Sequence, residues 1–101
     1  MQNSHFQTIT VLPVGSTTPT TIIKAGKHPM RAVVSNVGPV LVFVAATTTD
    51  LAPLPSTATY RLFPGEQAVF VAAPKEGLYV IGAAVGGLVS VSDSEALPVA
   101  L

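Results

Sequence analysis

The chain has 101 residues, five basic and five acidic side chains for a formal net charge of zero, and no cysteine. A length of this order gives one compact domain that buries roughly 60–70% of its unfolded-chain surface, and the missing thiols exclude disulfide frameworks, zinc clusters and thiol nucleophiles. Only 10% of the residues are charged, against about 25% in an average soluble domain, which argues against a basic nucleic-acid groove and against an acidic disordered tail.

Helical periodicity is nearly absent, and strand signals recur about every eight to twelve residues, the spacing of sandwiches and barrels. After a polar N-terminal arm, Met1–His5, the segment Phe6–Leu12 alternates as a strand and Pro13 is expected to end it. Thr20–Lys24, Met30–Asn36 and Val40–Ala46 are the next predicted strands, separated by Gly- and Pro-bearing loops. A longer loop, Thr47–Ser56, precedes Thr57–Phe63, Gln67–Ala73, Leu78–Ala84 and Gly87–Ser92. Val, Ile and Thr dominate these runs because branching at Cβ suits an extended pleat. Ser92-Asp93-Ser94-Glu95 has the spacing of a capping box, with room for at most one helical turn before Pro98. Residues 93–101 read as a C-terminal arm.

The connectors carry turn chemistry. Pro64-Gly65 sets a tight turn, with proline fixing φ and glycine free to take positive φ. Pro74-Lys75-Glu76-Gly77 reads as a four-residue hairpin loop in the same style, and Gly86-Gly87 as a two-residue one. Three consecutive short turns predict an antiparallel meander in the second half. The expected fold is all-β, a single domain over 1–101 built as a small antiparallel β-sandwich of about eight strands. A jelly roll is the preferred topology, with immunoglobulin-like and barrel arrangements open.

Two of these strands are apolar on both faces. Val40–Ala46 has no polar residue, and Gln67–Ala72 has Val69 and Val71 on one face and Ala68, Phe70 and Ala72 on the other. A strand with one solvated face should alternate more cleanly. Burial by a partner subunit is favoured over burial within the chain, because a short sandwich has little material to cover the outside of a sheet. The candidate interface is therefore Val40, Val42, Val44, Val69 and Val71, joined by Leu97, Val99 and Leu101 of the apolar C-terminal segment.

Chemistry is scarce. His5 and His28 lie in polar, solvated segments, and their spacing from Asp50, Asp93 and Glu95 fits no metal motif. Asp93-x-Glu95 is too sparse for calcium. No serine sits in a G-x-S-x-G elbow, and Gly86-Gly87 opens no helix, so neither an acyl-transfer site nor a phosphate loop is expected. No enzyme activity, cofactor or metal is expected. Tyr60 and Tyr79 could serve a sugar site, although no tryptophan platform is present. Leu51-Ala52-Pro53-Leu54-Pro55 reads as a surface loop. The cations Lys24, Lys27, Arg31, Arg61 and Lys75 are dispersed, with a small cluster from Lys24 to Arg31 that could meet an acidic partner surface or, as is usual, keep a loop hydrated. The longest apolar run, Val40–Ala46, falls far short of the ~18–20 residues needed to cross a bilayer. The N-terminus shows no secretory signal, so a soluble chain without a leader, or with its leader already removed, is expected.

Ser35-Asn36-Val37-Gly38-Pro39-Val40-Leu41-Val42-Phe43-Val44 reads as an asparagine, a short turn and an apolar strand. It is followed by Arg61-Leu62-Phe63-Pro64-Gly65-Glu66-Gln67-Ala68-Val69-Phe70 and by Gly77-Leu78-Tyr79-Val80-Ile81-Gly82-Ala83. This order, over Met30 to Ser92, resembles small β-sandwich structural proteins of tailed bacteriophages, including capsid decoration (cement) proteins. The resemblance implies a non-enzymatic virion protein that folds in the host cytoplasm and clamps the outer surface of a phage head. Its implied partners are itself, as a homodimer or homotrimer, and a major capsid protein, with no nucleic acid or membrane. The alternative is a receptor- or glycan-binding module of a phage fibre or bacterial surface protein.

Overall fold

β-branched and aromatic residues in alternating runs favour an extended backbone whose successive side chains point to opposite faces. In the computed structural model, which describes residues 8–51 and 59–95, they form eight strands: β1 Thr8–Val14, β2 Thr20–Ile23, β3 Met30–Asn36, β4 Val42–Ala45, β5 Tyr60–Leu62, β6 Gln67–Ala72, β7 Leu78–Gly82 and β8 Gly87–Glu95. No helix occurs among the described residues. The strands make two four-stranded sheets, sheet A in the order β1-β8-β3-β6 and sheet B in the order β2-β7-β4-β5.

The pairing has a simple rule. The first strand pairs with the last, the second with the second last, and so inward to β4 and β5, always antiparallel. Rolling that long folded ribbon adds the contacts β3·β8 and β4·β7. This is the jelly-roll arrangement of two interlocked Greek keys. Apart from β4 and β5, consecutive strands therefore lie in opposite sheets, and the expected meander in the second half is not present. The turns after β5, β6 and β7 cross the sandwich instead of closing hairpins; only β4 and β5 are both consecutive and paired. A tight turn reverses the chain but leaves open whether the next strand lies beside or opposite the last.

Two boundary expectations also change. Pro13 does not end β1 but lies inside it, which a strand at the margin of a sheet tolerates because the missing N–H can face away from the ladder. Asp93–Glu95 do not begin an arm or a helical turn; they continue β8, opposite Ala32, Arg31 and Met30 of β3. Residues 1–7 and 96–101, where the N-terminal arm, His5 and the rest of the C-terminal arm fall, lie outside the described residues.

The core fills the space between the sheets. Ala32 and Val34 of β3 and Val89 and Val91 of β8 meet Val42 and Val44 of β4, Leu62 of β5 and Leu78 and Val80 of β7. Full burial of a Val or Leu side chain contributes about 1.5–3 kcal/mol each, so this layer dominates the stability of the fold.

Two turns share one design. In Phe63-Pro64-Gly65-Glu66 and Ala73-Pro74-Lys75-Glu76 the last residue's N–H donates to the first residue's carbonyl, at 2.9 Å in both. Each glutamate Oε1 accepts the N–H of the first residue, at 2.8 and 2.9 Å. Proline at the second position and positive φ at the third make both type II turns. Gly65 has φ 88°, but Lys75 has φ 72°, the only positive value for a non-glycine among the described residues. Left-handed backbone costs an L-residue roughly 1–2 kcal/mol. Lys75→Gly is expected to stabilise the monomer by about 0.5–1 kcal/mol after glycine's extra unfolded-state entropy is deducted. Differential scanning calorimetry at low protein concentration should show this as a rise of a few degrees in Tm.

Candidate functional site

The outward faces of the two sheets differ. On sheet B, Phe43 and Ala45 of β4 and Tyr79 and Ile81 of β7 point away from the main core, yet they are not open. Leu51, fully buried, folds back from the β4–β5 connection and packs with Ala45 and Ile81, with Phe43 and Tyr79 around them. The first part of the connection, residues 47–51, is held in place by its own threonines and aspartate. Leu51 N–H donates to the Thr48 carbonyl at 3.0 Å, and Thr47 Oγ1 donates to Asp50 Oδ2 at 2.8 Å. Leu51 is thus a plug, where the sequence reading made it part of a surface loop.

Sheet A has no such cover among the described residues. Its outward positions form rows across the four strands. Ile9, Ser92, Val33 and Val69 lie side by side, and so do Val11, Ser90, Ser35 and Gln67. Ile9, Val11, Val69 and Val71 are exposed, at 69%, 55%, 52% and 65%. Ser35 Oγ donates to Gln67 Oε1 at 3.1 Å. Arg31, next to Val71, is the one charged side chain assigned to these outward positions. The surface is apolar at both margins, rich in hydroxyls in the middle and almost uncharged. Ile9 with Val11 at one margin and Val69 with Val71 at the other make two exposed apolar pairs on one face, the kind of feature that is weighed as a contact surface.

The residues expected at an interface therefore divide. Val42 and Val44, at 0% and 2% exposure, are filled by the core of their own chain and offer nothing to a partner. The reason is the position of β4 between β7 and β5, with the opposite sheet on one side and Leu51 on the other. Val40 is half-buried in the β3–β4 connection. Val69 and Val71 are open. Leu97, Val99 and Leu101 lie outside the described residues. Ile9 and Val11 were not singled out, although the alternation in Phe6–Leu12 contained them; nothing local indicates which of two alternating sets faces water.

The ends of the sandwich differ as well. One end is organised by Asn36, buried to 1% exposure. Its Nδ2 donates to the carbonyls of Val40 and Leu62 at 2.7 and 2.8 Å, and its Oδ1 accepts the Gly38 N–H at 3.1 Å. Its backbone N–H donates to Glu66 and its carbonyl accepts from Gly65. With its side chain on the β3–β4 connection and the end of β5 and its backbone on the β5–β6 turn, one residue ties these segments to the end of β3, and exposed Val37, Phe63 and Val85 project from the loops of this end. At the opposite end the Lys75 N–H donates to the Gly26 carbonyl at 2.7 Å, joining the β6–β7 turn to the basic β2–β3 loop. Lys24, Lys27, His28, Met30 and Asp93 line an open pocket of about 260 Å³ there.

Among the described residues no three His, Cys, Asp or Glu side chains come together in a position to hold a metal ion. No helix among them is long and apolar enough to cross a membrane. Of the two tyrosines weighed for sugar binding, Tyr79 is half-buried under the Leu51 plug. Tyr60 is half exposed and meets Phe70 edge to face, with ring centroids 5.3 Å apart. No protein-family model, no curated protein and no solved structure matches the chain.

Proposed function

We propose that this protein is a structural component that acts by adhering to other protein surfaces, and that its partner is the outer shell of a bacteriophage head, where it serves as a decoration protein. The observation that carries the reading is the contrast between the two sheets. The chain covers the apolar outside of sheet B with its own Leu51 and leaves Ile9, Val11, Val69 and Val71 of sheet A open. An uncovered face with one charge and a hydroxyl-lined centre suits a dry, extensive contact and offers little to an ionic ligand. The phage assignment itself rests on the sequence resemblance over Met30 to Ser92.

Co-sedimentation of the purified protein with phage heads stripped of their outer proteins tests this. Binding should persist at high salt, since exposed charge contributes little and salt screens only that contribution. Ile9→Asp and Val11→Asp, at exposed positions, should leave the fold intact and weaken binding by about tenfold or more. A protein that ignores the heads and instead binds an arrayed glycan, with binding lost in Tyr60→Ala, would establish the glycan-binding alternative.

A further inference from the structure

Strands at the margins of a sheet present a row of unpaired backbone N–H and C=O groups, and proteins blunt such edges unless they are used. Among the described residues the marginal strands are β1, β6, β2 and β5. β5 has three residues, and β2 has four with a shift of register between Thr21 and Ile23. β1 carries Pro13, which removes a donor. β6 has none of these devices: Gln67–Ala72 is six residues with no charge, proline, glycine or shift of register.

The ladder with β3 determines which groups β6 offers. Asn36 N–H donates to the Glu66 carbonyl at 2.8 Å, and the same register runs on to Met30 opposite Ala72. In an antiparallel ladder hydrogen-bonded and non-bonded pairs alternate. Ala68, Phe70 and Ala72 therefore bond to β3, while Gln67, Val69 and Val71 aim their backbone groups away from the sheet. The side chains of Val69 and Val71 are the exposed valines of the outward face.

The flanking turns supply the specificity. β6 runs between the two type II turns, with Glu66 at its start and Lys75 beyond its end. Lys75 sits at φ 72° where the twin turn uses glycine. A lysine held in a backbone conformation that glycine adopts freely implies a use for its charge.

We propose that β6 is a self-association edge. Two copies pair β6 with β6 antiparallel about a twofold axis at Val69, joining their two A sheets into one continuous sheet. Val69 then lies opposite Val69 of the partner subunit, and Gln67 opposite Val71 of the partner subunit. The same register sets Glu66 opposite Ala72 of the partner subunit and Phe63 opposite Lys75 of the partner subunit; because Glu66 Oε1 folds back to accept the Phe63 N–H at 2.8 Å, its carboxylate is carried toward Lys75 of the partner subunit at both ends of the seam. The pairing is independent of the shell reading, because it uses the edge of sheet A and leaves Ile9 and Val11 of the outward face free.

Sedimentation equilibrium of the full chain tests it. The wild-type protein should be a dimer at micromolar concentration. Val69→Pro removes an N–H that β3 does not use, so the far-UV spectrum should be retained while self-association weakens by about tenfold or more. Val69→Lys keeps the N–H, sets like charges face to face across the axis and should weaken association to the same degree, which covers the case that the proline variant misfolds. Lys75→Gly should raise the Tm of the monomer and yet weaken the dimer several-fold, a combination that a purely structural lysine would not give. A wild-type chain still monomeric at roughly 100 µM, a dimer indifferent to Val69→Lys, or one dissociated by Val11→Lys instead would each overturn the proposal. A wild-type dimer that fails to bind stripped heads would count against the shell reading alone.

Discussion

Asn36→Asp is expected to destabilise the fold by about 3–5 kcal/mol, a large share of the roughly 5–15 kcal/mol that keeps a domain of this size folded. Asn36 is 1% exposed, and its Nδ2 serves the carbonyls of Val40 and Leu62 at 2.7 and 2.8 Å. An aspartate carboxylate has the same shape but no hydrogen to give. It would place a buried negative charge against two carbonyl oxygens and leave both without a donor. Protonation would restore one donor and remove the charge, so the carboxyl introduced there has a folded-state pKa raised above its unfolded value. The deficit should therefore be smaller below the ordinary carboxylate range and grow as pH rises. Urea titrations at pH 4 and pH 7 measure this; equal losses at the two pH values would contradict the electrostatic account. Because Asn36 also ties the β3–β4 and β5–β6 connections together, amide exchange should quicken at Gly38 and Gly65 in any variant that remains folded.

Leu51→Ala is expected to cost about 2–5 kcal/mol, the range for a fully buried leucine, and to change the surface as well as the stability. Leu51 covers Ala45 and Ile81, with Phe43 and Tyr79 around it, on the outside of sheet B. Shortening it leaves a cavity too far from the main core to collapse into it and opens an apolar patch on the face that the chain otherwise covers. The urea midpoint should fall, and the folded variant should bind more of a hydrophobic dye than the wild-type protein does. The contrast with Ile9→Asp is informative. That substitution lies on the face left uncovered among the described residues and should leave the midpoint nearly unchanged while reducing the proposed binding to phage heads.

The strands were legible because their information is local. β-branched runs broken by Pro and Gly placed eight extended segments, and Met30–Asn36 matches its predicted bounds at both ends. The Pro64-Gly65 turn was legible for the same reason, since positive φ at the third position is a requirement that one residue type meets freely. The sheet to which each strand belongs was not legible. Pro64-Gly65 reverses the chain equally well within a sheet or between sheets, and the pairing of β1 with β8 joins residues at opposite ends of the described chain. Nor could the sequence separate Val44 from Val69. Both stand in strands with two apolar faces, and both suggested a covering partner. Only the tertiary structure brings Leu51 across the outside of β4 and leaves the outside of β6 bare. The turn pattern contains Asn36 and its two local partners, Gly38 and Val40, but not its third, the carbonyl of Leu62, which lies 26 residues away and reaches Asn36 only when the roll closes. Composition and turn chemistry thus determined that the chain would form a small all-β fold, whereas long-range pairing and one leucine from a loop decided which sheet face is covered among the described residues and which is exposed.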